Sequence, residues 1–134
     1  MEKKAGSKNF HGVGRRKSSV ARVWLKKGKG SIVVNNRESN KYFDTKLTRD
    51  MVTLPFKVSG LGKDLDAHVN VYGGGVVGQA GAVRLGISRA LLDFDQNLKS
   101  ALRKNGLLTV DSRNKERKKY GQRGARRKFQ FVKR

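Results

Sequence analysis

Hydrophobic and polar residues alternate in three stretches of this chain, and the alternation predicts β-strands with one buried face. These strands are predicted at residues 20–26, 31–35 and 64–72. The first two are joined by the turn sequence KKGKG, so we expect them to pair as a hairpin. The third stretch has the clearest pattern, because every second residue from Leu65 to Val71 is apolar.

Apolar residues spaced by three or four positions predict three helices. The first is expected to begin at Thr45, which can cap its N-terminus, and to end at Pro55. The second has about five turns, with an apolar stripe formed by Val76, Ala80, Val83, Ile87, Leu91 and Phe94. A third helix around Leu102 is expected to end at Gly106. A further short strand is predicted at Leu107–Val110.

The chain has 134 residues, which is enough for one domain. It has no cysteine, which excludes a disulfide framework and suits a reducing compartment. No apolar run approaches the roughly 20 residues of a membrane-spanning helix, so we expect a soluble, intracellular protein. We expect a flexible segment at residues 1–11, a globular body at residues 12–110 and an extended basic tail at residues 111–134.

Positive charge is concentrated at the two ends of the sequence. The chain has 32 Lys and Arg residues against 10 Asp and Glu residues, a formal net charge of +22. Residues 1–30 hold ten basic residues and one acidic residue, and residues 101–134 hold thirteen and two, whereas residues 61–100 hold four of each. Because a polyanion relieves such self-repulsion, nucleic acid is the expected partner.

The stretch VYGGGVVGQAGAVR contains the spacing G-x-G-x-x-G at Gly73, Gly75 and Gly78. Between a strand and a helix, this spacing can bind the pyrophosphate of a dinucleotide. Such a site needs an acidic residue after a second strand, whereas the acidic residues about 20 positions further on fall within or at the end of a helix. The dinucleotide site stays a weak third possibility behind two others: the glycines allow close packing of the backbone, or they bind a nucleic-acid phosphate at the helix N-terminus.

The basic ends contain residue types that bind nucleic acid. GRRKSSVARV, residues 14–23, has three consecutive basic residues and two serines ahead of a strand. ERKKYGQRGARRKFQFVKR, residues 116–134, interleaves aromatic residues with arginine and lysine. Guanidinium groups bind phosphate in a bidentate manner, and aromatic rings stack on unpaired bases. No motif indicates an active site, and His11 and His68 lack the spacing of metal ligands.

Three segments, GRRKSSVARV, YGGGVVGQAGAVRLGISRAL and DSRNKERKKYGQRGARRKFQFVKR, resemble the family of the ninth small-subunit ribosomal protein, in its bacterial or organellar form. The resemblance runs from about Gly12 to Arg134. It implies an α+β fold of the ribosomal S5 domain 2-like kind, a mixed β-sheet with helices packed on it. It also implies a structural RNA-binding protein of the small-subunit head that acts in translation, without enzyme activity and without a cofactor.

The resemblance also implies particular contacts and partners. The expected rRNA contacts are Arg15, Arg16, Lys17, Ser18, Arg22, Gly73, Gly74, Gly75, Gln79, Arg84, Arg117, Lys118, Lys119, Arg123, Arg126, Arg127 and Lys128. Lys133 and Arg134 are expected to approach the anticodon stem-loop of transfer RNA in the peptidyl site. Neighbouring small-subunit head proteins are further expected partners, with no membrane and no small-molecule substrate. The expected location is the ribosome of the cytoplasm, or of an organellar matrix or stroma.

The tail departs from the pattern that is common in this family. Phe129 stands where proline is common, so the backbone at this position is not fixed in advance. Val132 stands where serine is common, while the terminal Lys133-Arg134 pair is intact. The alternative function is that of a general nucleic-acid chaperone or architectural protein, and this alternative rests on charge alone.

Overall fold

The fold is known from a computed structural model that describes residues 9–128 and Gln130. In this part of the chain, one five-stranded sheet has the strand order β1-β2-β5-β3-β4. Its strands are β1 (Phe10–Arg16), β2 (Ser19–Lys27), β3 (Ile32–Val34), β4 (Arg37–Glu38) and β5 (Leu65–Tyr72). Neighbouring strands are antiparallel except β3 and β5, which are parallel. The predicted mixed sheet is therefore confirmed.

The helices complete an α+β fold. They are α1 (Ser39–Tyr42), α2 (Lys46–Ser59), α3 (Val76–Phe94) and α4 (Lys99–Lys104), with a 3₁₀ turn at Gln96–Leu98. Helix α3 packs along β1 and β2, and α2 packs against α3 and α4. The prediction of helices packed on a mixed sheet is confirmed.

The core lies between the sheet and α3, on the faces that the alternation predicted. Ala21, Val23 and Leu25 of β2 are fully buried, and every second residue of β5 from Leu65 to Val71 is buried beside them. On α3, Ala80, Val83, Ile87 and Leu91 are buried. The predicted stripe extended too far at its start, because Val76 is half exposed.

Strand β1 was missed by the sequence pattern, and the expected hairpin was wrong. β2 pairs with β1 on one side and with β5 on the other, so it does not touch β3. The residues of β1 that face α3 include Gly12 and Gly14, and glycine gives no hydrophobic alternation to detect. A Cβ on Gly14 would collide with the Ala82 carbonyl oxygen, which shows how closely the two backbones approach.

Two further local expectations were wrong. Pro55 does not end α2, which continues to Ser59 and stops at Gly60, where φ is +71°. Proline removes one helical N–H donor, but Pro55 is itself buried with Phe56 in the packed face of the helix. Residues 107–110 form no strand, because the Leu107 N–H donates to the Leu102 carbonyl and its side chain enters the core.

Two predicted helix boundaries are confirmed. Thr45 caps α2, since its Oγ1 accepts a hydrogen bond from the Thr48 N–H. After α4 the chain turns at Gly106, where φ is +69°. Residues 111–119 adopt neither helix nor strand, and a single antiparallel bridge joins Gln122 to Lys128 further on. Much of the expected flexible segment, at residues 1–8, and the tail end at residues 129 and 131–134 lie outside the described residues.

Replacement of Gly14 by alanine tests the close contact between β1 and α3. The new Cβ would meet backbone atoms, which cannot rotate away, so the strand or the helix must move. We expect the free energy of unfolding to fall by about 1–3 kcal/mol, as in other overpacked cores, measured by urea denaturation. Gly124→Ala is the control, because its Cβ would make only an ordinary contact with Arg127. Equal stability of the two variants would contradict the close packing.

Candidate nucleic-acid interface

The turn formed by Gly73 and Gly74, which we call the glycine turn, packs against the turn between β1 and β2. Gly73 and Gly74 have φ angles of +78° and +65°, a region that glycine adopts without strain. Ser19 Oγ donates to the Gly73 carbonyl at 2.8 Å, and a Cβ on Gly74 would collide with the same hydroxyl. Close packing is therefore shown at these two residues, and their predicted rRNA contact stays a prediction. Gly75 differs, since a Cβ there would meet no atom within 4 Å.

The other glycines of the motif also serve packing within the chain. Gly78 and Gly86 are buried, Gly78 against Ser19 and Gly86 against Val23. Gly81 is buried beneath the Arg16 side chain, which occupies the space that a Cβ would fill. The notches along α3 thus accommodate β1, β2 and an arginine of the same chain.

Gln79 holds the glycine turn in place through both ends of its amide. Its Nε2 donates to the Gly73 carbonyl at 3.1 Å, and its Oε1 accepts from the Tyr42 hydroxyl at 2.6 Å. Asn35 extends this network, because its side chain bonds both the N–H and the carbonyl of Val71. This geometry gives Gln79 a positioning role, whereas its predicted rRNA contact stays a prediction.

Exposed basic and polar groups gather at the same edge of the sheet. Arg15, Lys17 and Ser18 are exposed at the β1–β2 turn, and the Ser18 carbonyl lies directly beneath Gly73. Helix α3 begins at this edge, and its N-cap Gly75 supplies no capping side chain. Cations, a hydroxyl and an uncapped helix N-terminus favour an anion here. We call these residues, together with Gly74, the basic edge.

Arg16 has a different environment from its two basic neighbours. Its side chain is only 17% exposed and runs across Gly81 towards the start of the tail. There its guanidinium lies 3.7 Å from a carboxylate oxygen of Asp111. Arg16 therefore connects β1 to the tail, and Arg84 lines the same small cavity between them.

Asp111 is the first fixed point of the tail. Its carboxylate accepts hydrogen bonds from Arg113 Nε at 2.9 Å and from a terminal guanidinium nitrogen of Arg113 at 2.8 Å, in addition to the Arg113 backbone N–H. These bonds, with the charge of Arg16 as a lesser cause, hold the pKa of Asp111 well below its usual value. The carboxylate is therefore charged at neutral pH, and the tail leaves the body beside the basic edge.

Glu116 forms a second set of contacts, within the tail itself, and these contacts fold the tail back on itself. It pairs with Lys119 and, at 2.8 Å, with Arg126, and the Lys119 hydrogen bond is the main cause of its lowered pKa. Lys119 also donates to the Ala125 carbonyl at 3.2 Å. The predicted contact residues that are exposed around this fold are Arg117, Lys118, Arg123, Arg126, Arg127 and Lys128.

The remaining predicted residues lie apart from this cluster. Arg22 is exposed on the face of the sheet opposite α3. Lys133 and Arg134 lie outside the described residues. Sequence reasoning missed the roles of Asp111 and Glu116 as anchors of the tail. The only signal was their position as the two acidic residues in a strongly basic segment.

Neither a metal centre nor a membrane-spanning helix is found in the part of the chain that the structure describes. Residues 9–128 contain no group of three or more His, Cys, Asp or Glu side chains placed to hold a metal ion. Within the same residues, no helix is both long enough and apolar enough to cross a membrane.

The fold and surface define a basic α+β domain with an attached basic tail, an arrangement typical of proteins that bind polyanions. The chain belongs to the ribosomal protein S9/S16 family, which it matches over residues 14–134. It is 52% identical to "Small ribosomal subunit protein uS9" of Borreliella afzelii (strain PKo) over 123 residues, covering 92% of this chain and 90% of the relative. It is 50% identical to the protein of that name from Syntrophobacter fumaroxidans over 125 residues, 93% and 96% of the two chains. The family resemblance is confirmed.

Replacement of Asp111 by alanine tests the anchoring of the tail. We expect faster amide hydrogen exchange at residues 107–115 and faster trypsin cleavage at Arg113, with the urea midpoint of the body unchanged. Because the pKa of Asp111 is lowered by folding, the contact is present above the ordinary aspartate pKa of about 3.9 and weakens as the pH falls towards the lowered value. Asp64→Ala is the control. Unchanged exchange in the Asp111 variant would contradict the anchor.

Proposed function

We propose that this protein is a structural constituent of the small ribosomal subunit that binds rRNA and takes no part in catalysis. The observation that carries this proposal is the family match, which spans residues 14–134 and so includes the basic segment at 14–30 and the basic tail. The placement of positive charge supports the proposal, because the basic edge and the start of the tail at Asp111 lie on the same side of the body. Both therefore present cations to the same stretch of nucleic acid.

We further propose that rRNA contacts come from two groups of residues. The basic edge offers Arg15, Lys17 and Ser18 to phosphates, and the exposed arginines and lysines after Glu116 offer a second set. Arg16 and Gln79 already make contacts within the protein, so we assign them the role of positioning this surface. Neighbouring proteins of the subunit head are further proposed partners, and the place of action is the ribosome in the cytoplasm. The family relatives named above give no support to the organellar alternative.

The assembly proposal is tested by sedimentation of the tagged protein on a sucrose gradient after a high-salt wash. We expect a peak with the small subunit and ultraviolet crosslinks confined to rRNA. For the isolated protein, 6–10 phosphate contacts would lower RNA affinity by about 10³–10⁵ between 50 and 200 mM salt. Crosslinks spread over messenger RNA and DNA would instead support a general nucleic-acid chaperone, and a shallow salt dependence would contradict phosphate binding.

We also propose that Lys133 and Arg134 contact transfer RNA in the peptidyl site. If the exposed Glu116 ion pairs open on binding, the 24 residues from position 111 to 134 can extend to about 80 Å and so reach far from the body. Both residues carry charge suited to a phosphate backbone.

Deletion of these two residues tests the transfer-RNA contact. We expect normal folding and normal incorporation into the small subunit, with weaker binding of transfer RNA to the peptidyl site. Filter binding to purified subunits measures this affinity. Replacement of Arg103 and Lys104 by alanine removes the same charge from α4 and is the matched control. Unchanged affinity after the deletion would contradict the contact while leaving the rRNA proposal intact.

A further inference from the structure

The face of the sheet opposite α3 carries a row of aromatic side chains. His11 of β1 lies opposite Trp24 of β2, and Trp24 lies opposite His68 of β5. Residues in register point to the same side of a sheet, and alternate residues point to opposite sides. Since Val23 and Leu25 are buried beneath the helices, Trp24 and its two partners point away from them.

The three rings lie close together without stacking in parallel. The ring centres of His11 and Trp24 are 5.2 Å apart with a tilt of 46°, and those of Trp24 and His68 are 6.2 Å apart with a tilt of 40°. His11 and His68 are exposed, and Trp24 is half-buried. Trp24 and His68 line an open depression with Val33 and Asn70. No described helix or strand covers this face.

Positive charge surrounds the row on its β1–β2 side. Arg15, Arg22 and Lys26 are exposed on this face, and the Arg22 guanidinium carbon lies 5.8 Å from the centre of the Trp24 ring. An indole beside a guanidinium forms a cation–π pair, and both groups offer flat surfaces to a planar ligand.

Asp66 of β5 brings a carboxylate to this face, where it is in register with Lys26 and lines the same depression as Trp24. Glu38 is on the edge strand β4, in register with Val33. Asp66 of β5 accepts the backbone N–H groups of Lys29, Gly30 and Ser31, each at 2.9 Å. The bond from Ser31 is the main cause of its lowered pKa. Asp66 therefore stays negatively charged, but Arg15, Arg22 and Lys26 outnumber it on this part of the face, so the net charge around Trp24 is positive and complements a polyanion.

We propose that this sheet face binds unpaired bases of RNA, with Trp24 as the stacking surface and Arg22 and Lys26 as contacts to the adjoining phosphates. The proposal rests on the proposed RNA-binding function and adds a second surface, opposite α3. Aromatic rings between cations are the common platform for single-stranded nucleic acid, whereas the bases of an A-form duplex are not available for stacking. An unpaired strand therefore fits this face better than a duplex.

The tryptophan fluorescence of the protein reports on this sheet face, because Trp24 is the only tryptophan in the chain. The experiment follows its fluorescence while the full-length protein is titrated with single-stranded oligouridylate or with an RNA duplex of equal length. Binding is measured in parallel by anisotropy of a dye on the RNA. We expect the single strand to quench Trp24 at saturation, and the duplex to bind through the basic edge and tail without quenching.

Variants separate the contribution of stacking from that of folding. Trp24→Ala should weaken binding of the single strand by about 5- to 150-fold, the range expected for one stacked base, and should leave duplex binding unchanged. Trp24→Phe keeps an aromatic ring, so it should retain most of the affinity and be folded even if the alanine variant is not. Leu47→Ala, which removes an exposed apolar side chain on α2, is the matched control.

Each outcome bears on the proposal in a distinct way. Single-strand binding without a change at Trp24, or with full affinity in Trp24→Ala, would overturn the sheet-face proposal and leave the RNA-binding function standing. Failure to bind either RNA would overturn both. A Trp24 signal that changes without RNA, on deletion of residues 1–8 or on raising the protein concentration, would show that the chain itself or a second copy covers this face, and would also overturn the proposal.

Discussion

The close approach of β1 to α3 is the contact on which the rest of the structure depends. Gly12 and Gly14 on the strand and Gly86 on the helix leave no side chain between the two backbones. Backbone atoms in contact have no rotamers with which to adjust, so each element fixes the position of the other. Because α3 crosses both β1 and β2, this contact also determines where the β1–β2 turn lies relative to the first residues of α3.

The geometry of the basic surface follows from this arrangement. The β1–β2 turn is brought under the glycine turn, where Ser19 binds the Gly73 carbonyl. Arg16, the last residue of β1, is carried across Gly81 to Asp111. Two basic segments at opposite ends of the sequence thus meet at one edge of the body. The positive charge is divided between the two ends of the sequence, but the fold brings both parts to the same edge of the body.

Sequence patterns were sufficient where the buried face of an element is itself hydrophobic. This holds for β2, β5 and α3, whose buried residues alternate or recur with the expected period. It fails for β1, since Gly12 and Gly14 replace hydrophobic side chains with close packing. Strand order was not accessible either, because the parallel pairing of β3 with β5 depends on contacts distant in sequence. The local rule that ends a helix at proline failed because Pro55 and Phe56 are buried by tertiary packing. The pairing of Arg16 with Asp111 likewise appears only in the fold.

The two acidic residues of the tail explain how so basic a segment can hold any structure. A tail of cations alone would be driven from a basic body and from itself by repulsion. Asp111 joins the tail to Arg16, and Glu116 gathers Lys119 and Arg126. Exposed ion pairs contribute little stability individually, but these determine where the chain turns. Because these ion pairs already restrict the chain, the tail would lose less conformational entropy on binding than a fully unfolded segment, while Arg117, Lys118 and Arg127 remain exposed.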